Sequence, residues 1–274
     1  MEEESHPVET PLTGTATISA NTQDVSRSAS NTSSENSPAP SIVLTENGST
    51  SSCRPLAEGT SFEPAQDSIK VFLSVPDDGF KQRDNIAVYD DNGNLHPTDV
   101  YLKEQNHLLL LFNSNDVPVA ACRHEKAQVY NTYNIYTTRP LYPADKDNFQ
   151  HEGVSFYPQY RVREVNLCGR SLAYRSIMLW NGSHFEQLWR AYPPTQNQQD
   201  FAVDFFASKW HRDQTKEILV KCCVTDAPVA LVSRDNERER WDMAIAPNVD
   251  PSLMVFVAAI LEDDAGVRNI RSGR

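Results

Sequence analysis

From residue 68 onward, short apolar runs alternate with polar turns. Ile69–Leu73, Asn85–Tyr89 and Leu95–Leu102 come first. Asp90-Asp91-Asn92-Gly93-Asn94 lies between the latter two and predicts a hairpin turn, because Asn and Gly tolerate positive φ. His107–Phe112 and Val117–Cys122 follow, joined by Asn113-Ser114-Asn115-Asp116. In Ala127–Tyr136, the residues Tyr130, Tyr133, Ile135 and Tyr136 supply bulk suited to a pleated surface. Pro140–Tyr157 reads as a loop. Strand signals resume at Tyr160–Asn166, Leu172–Trp180 and His184–Ala191, the last two meeting at Asn181-Gly182. Phe201–Ala207, Glu217–Val224, Pro228–Ser233 and Trp241–Ile245 complete the series. Roughly a dozen short strands with turns between them predict a mainly β, mostly antiparallel sandwich or barrel.

One segment departs from this pattern. Ser252–Leu261 is apolar on nearly every side, with Asp250 placed to cap a helix, Pro251 at its first position and Gly266 as a stop. A helix over Pro251–Glu262 would be about 18 Å long, short of the ~30 Å hydrocarbon core of a bilayer. It is therefore expected to be buried in protein rather than to span a membrane. Glu262, Asp263 and Asp264 oppose the helix dipole and are expected to be solvated where the helix emerges.

The first 67 residues are dominated by Ser, Thr, Asn, Pro, Glu and Ala, and their longest apolar run is Ile42-Val43-Leu44. Such a stretch buries too little apolar surface to offset its ordering entropy, so residues 1–67 are expected to form a disordered tail ahead of one β domain over 68–274. Of the net charge of −12, the tail carries −8 (10 acidic, 2 basic) and the remainder −4 (27 acidic, 23 basic). A mildly acidic body argues against nucleic acid as a partner, since duplex binding depends on many Lys and Arg contacts to phosphate.

Cys53, Cys122, Cys168, Cys222 and Cys223 are odd in number and two are adjacent, which argues against a disulfide framework. The start, MEEESHPVET, has neither a basic nor an apolar stretch, so no secretory signal is expected. The Asn-x-Ser matches at Asn31, Asn47 and Asn181 are then chance, and the expected setting is intracellular and cytoplasmic, with peripheral membrane or nuclear association left open.

Many short strands followed by an apolar helix near the C-terminus resemble the tubby C-terminal-like superfamily, which includes tubby proteins, LURP-one-related proteins and phospholipid scramblases. The stretch Asp250–Asp264, DPSLMVFVAAILEDD, is similar to the ending of LURP-one-related proteins. Pro118–Cys122 leading into Tyr133–Tyr136, and Leu172–Trp180 followed by Phe185–Arg190, resemble further strand pairs of that family. The resemblance implies a closed antiparallel barrel of about twelve strands around a buried C-terminal helix, an apolar plug for so wide a cylinder. It also implies a binding role, since tubby proteins take phosphoinositide head groups on basic residues of the barrel.

Two basic clusters are candidates for that role. Arg161 and Arg163 lie two apart on one face of a predicted strand, with Arg170 and Arg175 nearby in sequence. Lys209, Arg212 and Lys216 form the second, beside Trp210 and His211. Guanidinium forks suit phosphate oxygens, although the ordinary role of such residues is a solvated face or loop. Neither cluster aligns residue by residue with the tubby site.

Catalytic and metal motifs are absent from the sequence. Gly-x-Ser-x-Gly, Gly-rich phosphate loops and His-Glu-x-x-His do not occur. Cys122-Arg123-His124 and Cys222-Cys223 lack the paired spacing of a zinc site, and Asp263-Asp264 is too short for a calcium loop. The seven His residues are scattered, and Trp180, Trp189, Trp210 and Trp241 read as core or rim anchors. The expectation is a non-catalytic binding or scaffold module without cofactor, engaging a phosphoinositide or a protein. The alternatives are an enzyme with a site in the barrel mouth and a pure protein-interaction domain.

Overall fold

The period-two pattern is clearest in Arg240-Trp241-Asp242-Met243-Ala244-Ile245, where Trp241, Met243 and Ile245 are buried and the residues between them only half-buried. A computed structural model describes residues 54–75, 80, 83–125, 131–142, 147–165, 174–192, 216–235 and 239–264. Among them are fourteen strands and one helix. In chain order the strands are β1 Ile69–Ser74, β2 Ile86–Tyr89, β3 Leu95–Pro97, β4 Val100–Gln105, β5 Leu108–Asn113, β6 Pro118–His124 and β7 Thr132–Thr137. Then come β8 Phe149–His151, β9 Val154–Val165, β10 Tyr174–Trp180, β11 Phe185–Tyr192, β12 Lys216–Cys222, β13 Pro228–Asp235 and β14 Arg240–Ile245, before helix α1, Pro251–Asp264.

All strands join one sheet in the order β3-β2-β1-β14-β13-β12-β11-β10-β9-β7-β6-β5-β4, with β8 attached to β9. Every pairing is antiparallel. The single run expected over Leu95–Leu102 divides at Thr98-Asp99 into β3 and the start of β4, which form the two ends of the sheet. The backbone ladder stays open there, and individual hydrogen bonds bridge its ends. Thr98 N–H, donating to the Ile86 carbonyl at 3.2 Å, extends the β2–β3 ladder by one rung, and the bridge to β4 is made by Asn85. The Asn85 side chain donates to the Leu102 carbonyl at 2.7 Å and accepts the Leu102 N–H at 2.9 Å.

Helix α1 starts where the sequence places it. Asp250 accepts the Ser252 N–H at 2.9 Å and caps the first turn. Residues 251–263 are all buried. The acidic end is buried rather than solvated, because distant strands supply its partners. Glu262 accepts from Arg234 Nε of β13 at 2.9 Å and from Trp241 Nε1 of β14 at 2.8 Å. Asp263 accepts from the Tyr133 hydroxyl of β7 at 2.5 Å. Because β7 and β13/β14 lie far apart in the sheet order, both arms of the sheet reach the last turn of α1, so the sheet wraps around it.

Residues 54–67, grouped by composition with the tail, belong to the folded structure. Leu56, Ala57 and Phe62 are buried in the main core, and Leu56 N–H donates to Asp250 at 2.8 Å. The stretch Pro140–Tyr157 also differs from the expected loop. It contains β8 and the start of β9, a hairpin turning at Glu152-Gly153, both with positive φ. This hairpin covers a second apolar layer on the outer face of the sheet. Tyr101, Leu108, Leu110, Phe112, Ala121, Tyr136 and Phe156 form that layer, with Phe149 and Val154 packed against it. Consequently β5 is buried on both faces, which explains its unbroken apolar sequence LLLLF. The expected strand Phe201–Ala207 lies outside the described residues.

Candidate functional site

A β-bulge builds the most distinctive surface feature. In the β7–β9 ladder Ile135 faces Tyr160 but Tyr136 faces Pro158, which leaves Gln159 as the extra residue. Pro158 has no N–H to donate, so the ladder is already weakened at this point. Freed from the pairing, the Gln159 amide donates through Nε2 to the Arg54 carbonyl at 2.6 Å. Its Oε1 is buried and meets no hydrogen-bond partner. Gln159 is 6% exposed.

On the neighbouring β10 the ladder to β9 ends at Leu179, opposite Tyr160. Trp180 follows, its ring tilted against Phe185 at 5.2 Å between centroids. The Trp180 indole Nε1 is likewise buried without a partner. Beyond it the Asn181 side chain organises the turn by accepting the N–H groups of Ser183 and His184, each at 3.0 Å. Gly182 in that turn has φ +97°, and a Cβ there would sit 3.4 Å from Tyr142. Tyr142 therefore packs directly on the glycine.

These pieces enclose a cavity of about 160 Å³, lined by Arg54, Pro140–Tyr142, Pro158-Gln159 and Leu179–Asn181. Leu141 and Tyr142 at its rim are 45% and 49% exposed, two of the few large apolar side chains so exposed among the described residues. Among the lining residues the only formal charge belongs to Arg54, and no Ser, Cys, His, Asp or Glu is present.

The sequence-derived basic cluster is divided by the pleat. Arg161 and Arg163 share one face of β9, both half-buried. Arg175 stands opposite Glu164 in the β9–β10 ladder, hence on the other face, and its guanidinium is 3.8 Å from that carboxylate. Arg175 is only 7% exposed. Arg170, Lys209 and Arg212 lie outside the described residues, and so does the side chain of Lys216.

Even the shared face is not a free cationic patch. Arg161 Nε donates to Asn134 at 2.7 Å, and its guanidinium lies 4.0 Å over the Phe185 ring. Asn134 in turn donates to Glu125 at 3.0 Å, and Glu125 accepts from Arg123 at 2.9 Å. Burial lowers the Arg161 pKa, while the nearby charges of Asp147 and Glu125 pull it back up. Burial also pushes the Tyr136 hydroxyl beside Arg123 up to about 12. An incoming phosphate would meet two carboxylates in this network along with the arginines.

Of the tryptophans, Trp189 and Trp241 are fully buried core residues, Trp180 forms the cavity wall, and Trp210 lies outside the described residues. Cys122 is buried, and Cys222 and Cys223 are half-buried free thiols. Among the described residues no group of three or more His, Cys, Asp or Glu side chains is arranged to hold a metal. No helix among them is long and apolar enough to cross a membrane. Sequence reasoning missed Arg54, Tyr142 and Gln159 as site residues. Only the Asn181-Gly182 turn and the proline at 158 hinted at the place.

No protein-family model matches the chain, and no curated protein matches it. Among solved structures, it is similar to the crystal structure of a protein from Arabidopsis thaliana, at 16% sequence identity and a TM-score of 0.42, over 73% of this chain and 93% of that one.

Proposed function

We propose that this protein is a non-catalytic binding module, a divergent tubby-like barrel that engages a segment of a protein partner. The observation that carries this reading is the cavity beside Gln159 and Trp180, with its exposed apolar rim of Leu141 and Tyr142. Exposed apolar side chains grouped around a cavity are characteristic of interaction sites. The barrel reading takes the sheet as a closed cylinder, joined across its open ends by the Asn85 side chain on Leu102, with α1 as its plug. A phosphoinositide ligand on the Arg161–Arg163 face is less well supported, because Glu125 and Asp147 already offset those charges.

Panning a displayed library of random decapeptides against the full chain tests the reading. Wild-type protein is expected to enrich a set of peptides, and Tyr142→Ala, a change at a half-exposed position, is expected to weaken their capture at least tenfold. Failure to enrich any peptide overturns the proposal. So does binding to vesicles containing phosphatidylinositol 4,5-bisphosphate that is abolished by Arg161→Ala and unaffected by Tyr142→Ala.

A further inference from the structure

A second concave surface lies over the outer face of β1, β14 and β13 and shares no residue with the cavity beside Gln159. Alternation along β14 turns Trp241, Met243 and Ile245 inward, so Asp242 and Ala244 face out. In the register Ala244 stands between Lys70 and Leu231, and Asp242 between Phe72 and Ser233. The short Ala244 side chain leaves the floor low between longer neighbours. Residues 65–68, which lead into β1, and the turn 90–93 after β2 complete the lining. Asp90 holds that turn by accepting the N–H groups of Asn92 and Asn94 at 2.9 and 2.8 Å.

The charge of this groove is one-sided. Four carboxylates line it, Asp67, Asp90, Asp91 and Asp242, against two cations, Lys70 and Arg240, a formal balance of −2. Arg240 is committed within the sheet, its Nε 3.0 Å from Asp242 and 3.5 Å from Asp235. That leaves Asp67, Asp90 and Asp91 against Lys70. Asp67 and Asp91 are exposed, and among the described residues neither has an ion-pair partner. Hydrogen bonds from Asn94 and His96 hold the Asp90 carboxyl well below the usual carboxylate range. Tyr89 also lines the groove, its hydroxyl donating to Asp242 at 3.0 Å, and an aromatic ring adds to the attraction for a cation.

The sign and the size select among occupants. Phosphate, nucleic acid or an acidic peptide would enter against the field, whereas a cleft lined by one sign of charge concentrates the opposite one. A divalent ion needs several converging oxygens, and among the described residues no three His, Cys, Asp or Glu side chains are so arranged. The groove measures about 1040 Å³, beyond the ~300–1,000 Å³ usual for small-molecule sites, which leaves room for several residues of a chain. We infer that it docks an extended basic segment of a partner protein, whose Lys or Arg side chains lie among Asp67, Asp90 and Asp91. This contact goes beyond the proposed role of the Gln159 cavity and stands or falls separately from it.

The test is fluorescence anisotropy on the full-length chain with three labelled decapeptides, in which Ala alternates with Arg, Gln or Glu. The Arg peptide is expected to bind at least tenfold more tightly than the other two. Raising the salt from about 50 to about 300 mM should weaken it at least fivefold, as screening of exposed charges requires. Asp67→Asn/Asp91→Asn should weaken it at least fivefold as well. Glu152→Gln/Glu186→Gln removes the same charge from exposed positions outside the groove and should leave binding within twofold. Tyr142→Ala should also leave it unchanged. Equal losses in the two double variants, or equal binding of the Arg and Gln peptides, overturn the inference. So does loss of binding in Tyr142→Ala, which would move the basic segment to the other cavity. Spermine competing at concentrations no higher than the peptide's would make the occupant a free polyamine and overturn the protein-segment assignment. Capture of displayed peptides through Tyr142 without binding of the Arg peptide ends this inference and leaves the proposed binding role standing.

Discussion

Asn85 pairs with Leu102 as though its side chain were a piece of strand, donating to the Leu102 carbonyl at 2.7 Å and accepting the Leu102 N–H at 2.9 Å. Asn85 is 3% exposed, so neither Leu102 group has water as an alternative. Asn85→Ala should leave a buried donor and acceptor unpaired and cost about 2–4 kcal/mol. Asn85→Asp keeps the acceptor but loses the donor, and should also destabilise. Urea unfolding of the two variants checks both expectations, and wild-type stability in Asn85→Ala would show that the seam does not depend on this residue.

Glu262 anchors the end of α1. Its carboxylate is reached by Arg234 and Trp241 in a buried setting, where removing one member of an ion pair leaves the other charge stranded. Glu262→Leu should cost about 3–5 kcal/mol. The double variant Arg234→Met/Glu262→Met should be markedly more stable than Glu262→Leu, because it strands no charge. Thermal melts of the variants compare the two cases directly.

The cap at the other end of α1 makes stability depend on pH. Burial raises the Asp250 pKa from 3.8 to about 6, against the N–H groups of Leu56, Ser252 and Leu253, which lower it. In this range the folded protein holds the proton more tightly than the unfolded chain. The contribution is therefore fully present below pH 3.8 and is lost as pH rises through about 6. Asp250→Asn should flatten that part of the stability profile. Chemical denaturation at intervals between pH 4 and 7 measures the slope, and an unchanged slope in the variant would assign it to another group.

Gly182 connects local geometry to the pocket. Its φ of +97° strains any other residue, and the Tyr142 ring occupies the space beside its missing Cβ. Gly182→Ala should cost about 1–3 kcal/mol through its backbone alone, because a Cβ 3.4 Å from Tyr142 is an ordinary van der Waals contact, so stability should fall while the folded protein keeps its peptide capture. Calorimetry with the capture assay separates this from Tyr142→Ala, where capture should fall alone.

Strand alternation and the apolar helix could be read directly, because both are local patterns. Asp250 and Pro251 marked the start of α1 from three or four neighbouring residues. The β8 hairpin was hidden because Phe149-Gln150-His151 is too short and too polar to show a period. Glu262 and Asp263 looked solvated because Arg234, Trp241 and Tyr133, which meet them, lie far away in the chain. The site was the least legible part. Arg161 and Arg175 separate onto opposite faces only once the β9–β10 register is fixed, and the role of Gln159 depends on a bulge at which Pro158 hints but which the β7–β9 pairing alone locates.

All fourteen strands precede α1 in the chain. As the polypeptide leaves the ribosome, each of these strands emerges before the apolar helix against which the main core is built, so its inward side chains lack that mate. Folding must wait for the helix to be synthesised and then gather contacts between very distant residues, the condition for a slow folder. Until then the exposed apolar edges invite chaperones, and a premature stop before Pro251 would yield a collapsed, aggregating product rather than a smaller working one.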